Sequence, residues 1–456
     1  MSVSTAPVTA SPSRPAGHAV PQPALSVFDA VMIIAGIIIG GGIFSFPPLV
    51  ASMTGSVPWM FGAWLFGAAL AFIGALCYAE LATAFPSAGG DYHFLTRAYG
   101  RDLSFFFAWA RITVITTGSI ALLAFVFGDY LTRVYSLGAH SAAIYAVLVV
   151  VVLTAINLAG LRQSSRTQNL MSGLLVLGLA LVIVAGFISP AASAAPSPAE
   201  TSSGVPAMFG TALLFVLFTF GGWNEAAYVS AEVRGGNRAI VKALLYALLL
   251  VTGVYLLFVL ALLTGLGFEG LKGSKQVAAD VVGKALGPAG ERVIGALVAL
   301  AALTSINATL LVSSRTIYSL GNDWAIFRFM ARWNGERDVP TTALWVTGVL
   351  SLVLVLLAAM NQSGIKFMVD FTAPVFWFFF LLTGVSLFVL RYRAPDAPRP
   401  FRVPLYPVVP LAFVATCAFL LYKSLEFTLE NKAIQIALYV MAAGVLVWVL
   451  ARWRKG

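Results

Sequence analysis

The chain has 456 residues, 60% of them hydrophobic and only 10% charged. A soluble chain of this size carries roughly a quarter charged residues, so a water-soluble globule is excluded and one membrane domain is expected. The net charge of +10 and the two cysteines, Cys77 and Cys417, both within apolar runs, point to neither a nucleic-acid surface nor a disulfide framework.

Residues 1–25 are rich in Ser, Pro and Ala and predict a disordered tail without the apolar core of a cleaved signal. About twelve apolar stretches follow, most of them long enough for the roughly 20 residues that cross a bilayer as a helix. They run 27–51, 58–84, 103–131, 141–160, 169–189, 207–233, 238–266, 291–318, 341–360, 367–390, 404–424 and 431–452. If the N-terminus is inside, 19 Lys and Arg fall on inner segments and 8 on outer ones, with Arg111 within a span. Positive residues stay on the side from which helices insert. Both termini are therefore expected in the cytoplasm, in the cell (inner) membrane, beside anionic lipid headgroups.

The first stretch is interrupted at Ile39-Gly40-Gly41-Gly42-Ile43-Phe44 and the sixth at Thr219-Phe220-Gly221-Gly222-Trp223-Asn224. Each opens one half of a five-plus-five repeat, about 26–189 and 207–390, leaving 391–456 as two further helices and a short tail. A helix that loses its ladder in lipid leaves polar groups that something must answer. Breaks at corresponding places of two halves point to the binding site of a secondary carrier.

The chemistry of the breaks follows from helix ends. A half-helix starting near Ile43 offers free N–H groups and partial positive charge to a carboxylate. Glycine allows the irregular backbone and lets an anion approach it. Carbonyls at Ile38–Ile39 and at Phe218–Phe220 suit an ammonium group, and Phe220 and Trp223 offer apolar walls. Carboxylate and ammonium together describe an α-amino acid. The candidate substrate set is Ile39, Gly40, Gly41, Gly42, Ile43, Thr116, Phe220, Gly221, Gly222, Trp223 and Asn224. The alternative is that the glycines only let helices pack closely, as Gly67, Ala71 and Gly74 would in the second span.

Four connecting segments have their own character. Residues 188–206 predict a flexible external linker, and 267–290 an external helix over the vestibule, either a lid or an interfacial helix. The loop 321–340 mixes aromatics with arginines, as at the headgroup level. Arg391-Tyr392-Arg393 and Arg399-Pro400-Phe401-Arg402-Val403-Pro404 form a rigid basic turn.

Gly40-Gly41-Gly42-Ile43-Phe44 with Pro47 resembles the Gly-Ser-Gly-Ile-Phe element of the amino acid–polyamine–organocation superfamily. Tyr78-Ala79-Glu80-Leu81, Phe85-Pro86-Ser87-Ala88-Gly89-Gly90-Asp91-Tyr92 and Arg97-Ala98-Tyr99-Gly100 resemble its loop between spans two and three. Phe220-Gly221-Gly222-Trp223-Asn224 and Ala231-Glu232-Val233 are similar to the sixth-span signature, most like the L-type amino acid transporter branch, and Asn307-Ala308-Thr309 to its eighth span. The resemblance covers about 25–390. It implies an all-α membrane protein with the inverted-repeat leucine-transporter fold, discontinuous helices 1 and 6, and amino acid transport.

Two departures bear on coupling. Gly41 stands where the family has Ser, which removes a hydroxyl and makes room near the carboxylate. Leu175 stands where many relatives place a lysine that caps the broken helix or carries a proton. Ala301-Ala302-Leu303-Thr304-Ser305 resembles the Ala-x-x-Thr-Ser pattern of sodium-coupled members, so Gly40, Ala301, Thr304 and Ser305 form a candidate Na⁺ site of oxygen ligands. Against it, the two hydroxyls can bond their own helix backbone.

Of the intramembrane charges, Arg111 is expected to meet Glu80 or backbone carbonyls. Glu225 is a candidate coupling or gating residue, or a helix-start cap. Glu232 is expected in a closing ion pair, and Asp370 beside Lys366 as an anchor near the membrane surface. His18, His93 and His140 fall in tails or loops. An intramembrane enzyme would need buried His or paired acids, and a channel a pore-lining ring. The expectation is an alternating-access carrier of a neutral L-amino acid, with Na⁺ as candidate coupling ion, no other cofactor and no obligate partner subunit. The alternative is a proton-coupled or exchange-type carrier of cationic amino acids or polyamines.

Overall fold

The computed structural model describes residues 26–85, 90–159, 165–191, 204–225, 236–332, 334, 340–360, 364–428 and 432–453. The predicted tail, most of the 188–206 linker and Glu232 lie outside the described residues, as does the side chain of Glu225.

The first apolar stretch folds as α1 (Val27–Ile38), α2 (Gly42–Ser45) and α3 (Pro47–Thr54), with the glycines in the gap. Pro47 and Pro48 occupy the first turn of α3, where a missing N–H costs nothing, and Gly55 ends it in the left-handed conformation. Then come α4 (Val57–Ala84), α5 (Asp91–Tyr99), α6 (Arg101–Ala110), α7 (Thr116–Val134), α8 (Ser141–Leu158), α9 (Ser165–Ile188) and α10 (Phe209–Thr219). A π-helical turn at Arg111–Ile115 joins α6 to α7. The second half continues with α11 (Gly236–Gly273), α12 (Val277–Asp323), α13 (Thr341–Ala359), α14 (Gly364–Arg393), α15 (Val408–Thr428) and α16 (Lys432–Trp453).

Among the described residues, nine helices or helix runs are long and apolar enough to cross a membrane; Gly173–Ile188 and Phe209–Thr219 are shorter apolar helices. With the broken first stretch they account for the twelve expected crossings. Helices approach closely where side chains vanish: a Cβ on Gly67 would strike Val216 of α10, and one on Gly128 would strike the Ala142 carbonyl.

The core has two main bodies. One gathers α1–α4, α10, α11 and the first part of α12; the other gathers α7, α8, α13 and the later part of α12. Helix α14 belongs to both, giving Trp377 and Phe380 to the first and Phe371 and Phe379 to the second.

Polar contacts mark two faces. On the proximal face, Asp102 accepts from Trp448 (2.9 Å) and Arg452 (2.6 Å), and Tyr92 donates to Asp323 (3.1 Å). On the distal face, Arg133 at the end of α7 donates to Gln276 (2.7 Å), Glu291 (2.8 Å) and Asp280 (3.2 Å).

Three expectations change. The 267–290 segment is not one helix. It is two helical pieces set off by Gly267 (φ 71°, ψ 170°) and Gly287 (φ 70°, ψ −168°), a conformation open only to glycine. Asp370 lies near the start of α14, close to Lys366 as expected, but its side chain is buried in the bundle with Phe367–Val369 rather than facing outward as an anchor. The Glu80 carboxylate, a suggested partner of Arg111, is taken by Arg391, whose side chain reaches it from the end of α14.

Candidate functional site

The two breaks meet. A Cβ built on Gly42 would lie 3.4 Å from the Cα of Thr219 and 3.3 Å from the Phe46 ring, so the first break seats directly against the second. In the first break, the ladder of α1 closes with Ile39 N–H to Ala35 O (2.8 Å) and resumes with Phe44 N–H to Gly41 O (3.2 Å) and Phe46 N–H to Gly42 O (2.9 Å). The N–H groups ahead of that restart head the half-helix, as at any helix start. In the second, Phe220 N–H reaches Val216 O (3.0 Å) and Gly221 N–H reaches Phe218 O (3.1 Å). Gly222 then turns the chain at φ +107° into a 3₁₀ turn, Trp223–Glu225.

The hydroxyl of Tyr255, a fully buried residue of α11, lies 3.0 Å from the Ile38 carbonyl and 3.1 Å from the Thr219 carbonyl. One phenol thus bridges the carbonyl ends of both half-helices. These carbonyls, expected to be free for an ammonium group, are shared; a carbonyl has two lone pairs, so each still has one to offer. Nothing in the sequence marks Tyr255, which looks like any core aromatic in an apolar span. Its ring packs edge-on against Trp64 and Phe220.

Space around the first break is uneven. A Cβ on Gly40, or on Gly36 one turn earlier, would meet nothing within 4 Å. At Gly41 the same atom would lie 3.2 Å from Leu123 and from Val126 of α7, so the room expected from losing the family's serine is filled by α7. Thr116 is buried seven residues before Leu123, about 10 Å along α7.

The aromatic residues of the second break go separate ways. Phe220 packs on Trp64 and Tyr255 beside the first break. Trp223 turns toward α4, α14 and α15, edge-on to Tyr78 (5.1 Å) and Phe380 (5.8 Å), where Gly74 gives it room. There a cavity is lined by Gly221, Trp223 and Asn224 of the break, Leu70 and Ala71 of α4, Phe376, Trp377 and Phe380 of α14, and Phe413 and Thr416 of α15. Among the described residues, none of those lining it is ionisable. The buried indole N–H of Trp377 has no hydrogen-bond partner among the described residues and is a donor in waiting. The run Phe376-Trp377-Phe378-Phe379-Phe380 was the sequence signal for this wall, and periodicity alone reads it as core.

At the candidate cation site, α12 packs against α2. Thr304 donates its hydroxyl to the Leu300 carbonyl (3.0 Å), the local bond expected of a helical threonine, and keeps its lone pairs. Leu175 is buried in the same core as Ile38, Ile39, Ala301 and Ala302, and brings no charge to it. Outside the spans, burial and then the Arg97 charge lower the His93 pKa below the usual imidazole value.

On the distal side the first break is packed over. Tyr130 donates to the Phe44 carbonyl (2.7 Å), Phe44 packs edge-on against Phe258, and Val277–Ala279, Val281 and Val282 of the overlying helix are buried.

A family model described as amino acid permease matches residues 25–450. Among curated relatives, the rat (Rattus norvegicus) b(0,+)-type amino acid transporter 1 is 25% identical over 440 residues, covering 95% of this chain and 89% of the relative. The mouse (Mus musculus) Asc-type amino acid transporter 1 is 28% identical over 442 residues, covering 94% and 82%. The human (Homo sapiens) large neutral amino acids transporter small subunit 2 is 28% identical over 444 residues, covering 93% and 80%.

Proposed function

Because the chain belongs to the amino acid permease family, we propose that it carries a neutral L-α-amino acid by alternating access, with the substrate backbone between the two breaks. The observation that carries this reading is the uncharged, aromatic cavity beside Gly221 and Asn224. A cationic side chain placed there would lose its hydration with no carboxylate among the described lining residues to replace it, whereas an apolar one gains by burial. The substrate carboxylate takes the N–H groups of the half-helix from Gly42, and its ammonium the remaining lone pairs of the Ile38 and Thr219 carbonyls.

The positive-residue bias supports a cytoplasmic proximal face and cytoplasmic termini. The closed distal gate then makes this a conformer shut to the outside. Na⁺ suits the uncharged centre left by Leu175, with Thr304, Ser305 and the carbonyls of Gly40 and Ala301 as oxygen ligands.

Uptake of labelled leucine and arginine by proteoliposomes, with and without an inward Na⁺ gradient, tests the reading. Saturable leucine uptake with no arginine uptake is expected, and a Na⁺-driven overshoot lost in Thr304→Ala would add symport. Uptake of arginine alone would overturn the neutral assignment. Leucine uptake indifferent to Na⁺ but stimulated by internal amino acid would remove the cation site and leave exchange.

A further inference from the structure

Two sequence elements that the transport site does not use come together on the proximal face. Glu80, from the Tyr78-Ala79-Glu80-Leu81 run at the end of α4, is almost completely buried and receives the basic turn after α14. Arg391 forks onto its carboxylate, Nε to Oε1 at 2.8 Å and Nη2 to Oε2 at 2.6 Å. The Val403 backbone N–H adds a bond to Oε2 at 2.7 Å, and Arg399 Nε stands 3.6 Å from Oε1.

The turn is built around this acceptor. Arg399 donates to the carbonyls of Leu390 (3.1 Å), Ala394 (2.8 Å), Pro395 (3.0 Å) and Ala397 (3.1 Å), and the Arg391 guanidinium lies 3.8 Å above the Tyr406 ring. One carboxylate therefore joins the end of α4, the end of α14 and the segment leading into α15. These three helices supply Leu70, Ala71, Phe376, Trp377, Phe380, Phe413 and Thr416, and the remaining lining comes from Leu217 at the end of α10 and from Gly221, Trp223 and Asn224 of the second break. Ala71 lies nine residues before Glu80, and Phe380 eleven before Arg391, about 14 and 16 Å along their helices.

A buried ion pair is weak evidence for stability, because apolar residues of the same volume do as well or better. What it supplies is one fixed arrangement of the parts it joins. We infer that Glu80 is a positioning residue for the substrate side chain: it holds α4, α14 and α15 as one unit, against which the end of α10 and the second break move to open and close the cavity. This rests on the amino acid reading of the cavity.

The test compares Glu80→Gln, which keeps the shape and loses the charge, with Glu80→Asp and Arg391→Lys, which keep charge. KM and Vmax are measured for leucine and alanine in proteoliposomes. Spin labels at the exposed positions Leu65 of α4 and Phe378 of α14 report interhelix distance without reference to transport. In Glu80→Gln the leucine KM should rise about fivefold or more and the alanine KM less than about twofold, since misplacing a wall penalises the side chain that touches it. The spin-label distance distribution should broaden, and the charge-retaining variants should recover part of both effects. An unchanged distribution, or an equal fall in Vmax for both substrates at unchanged KM, would overturn the positioning role. If the wild type carries no amino acid, the transport reading fails, while the distances still decide whether the unit exists.

Discussion

The hydroxyl of Tyr130 donates to the carbonyl oxygen of Phe44 at 2.7 Å, both residues being buried, and so fastens the distal part of the broken first helix to α7. That carbonyl lies in a short helix of four residues, so the bond holds an element with little hold of its own. Tyr130→Phe leaves the carbonyl buried without this partner, at a cost of about 1–3 kcal/mol to the distally closed state. We expect a cysteine placed at Leu123 to react faster with an impermeant thiol reagent from the distal side in Tyr130→Phe than in the parent. Equal rates would show that the bond does not hold the gate.

Tyr255→Phe removes a hydroxyl that touches both breaks. Two buried carbonyls then lose a shared donor, and the half-helices lose their common reference. Leucine KM is expected to rise about tenfold, on the order of the 1–3 kcal/mol that one unmade buried hydrogen bond costs. The folded yield should be nearly unchanged, because the ring still packs on Trp64 and Phe220. Size-exclusion profiles alongside uptake kinetics separate the two effects.

Gly40→Ala and Gly42→Ala should part company. The methyl on Gly42 presses at 3.3 Å on the Phe46 ring, which must shift with the Thr219 backbone already in contact at 3.4 Å. Crowding of that kind costs about 1–3 kcal/mol, and melting temperature should fall. The methyl on Gly40 meets nothing within 4 Å, so melting temperature should hold while transport drops, because the methyl takes space the substrate needs. Full transport in Gly40→Ala would move the substrate away from this break.

Arg133 reaches Gln276 and Asp280 of the distal segment and Glu291 just beyond Gly287 at once, and so latches that segment and the start of the following helix to the end of α7. Its guanidinium is partly exposed, so each contact is worth little, about 0.2–1 kcal/mol. Arg133→Gln should still raise hydrogen exchange across 277–286 several-fold, on the basis of the summed contacts, and leave exchange in α13 unaltered.

The sequence carried much of this fold, and the reasons for the gaps are physical. The breaks were legible because three consecutive glycines and a second Gly-Gly pair interrupt otherwise continuous apolar runs, which lipid punishes unless function requires it. Tyr255 was not legible, because an aromatic in an apolar span has the same pattern whether its hydroxyl is idle or bridges two helices. Trp223 lines the cavity, and its direction depends on Gly74, some 150 residues earlier in the chain, which no local pattern reveals. The union of Glu80 with Arg391 joins residues 311 apart, and neither run names its partner. Gly267 and Gly287 were visible as glycines, but only their backbone angles divide the distal segment into two pieces.

The account turns on one molecule being held by its carboxylate at one break and its ammonium at the other. Competition against labelled leucine, by leucine, leucinamide and 4-methylpentanoate, tests this most directly, since the two analogues each lack one of those charges. Both analogues should compete at least about 100-fold more weakly than leucine, because each leaves one set of buried helix-end groups unanswered. If either competes as well as leucine, the break it was meant to engage does not bind the substrate.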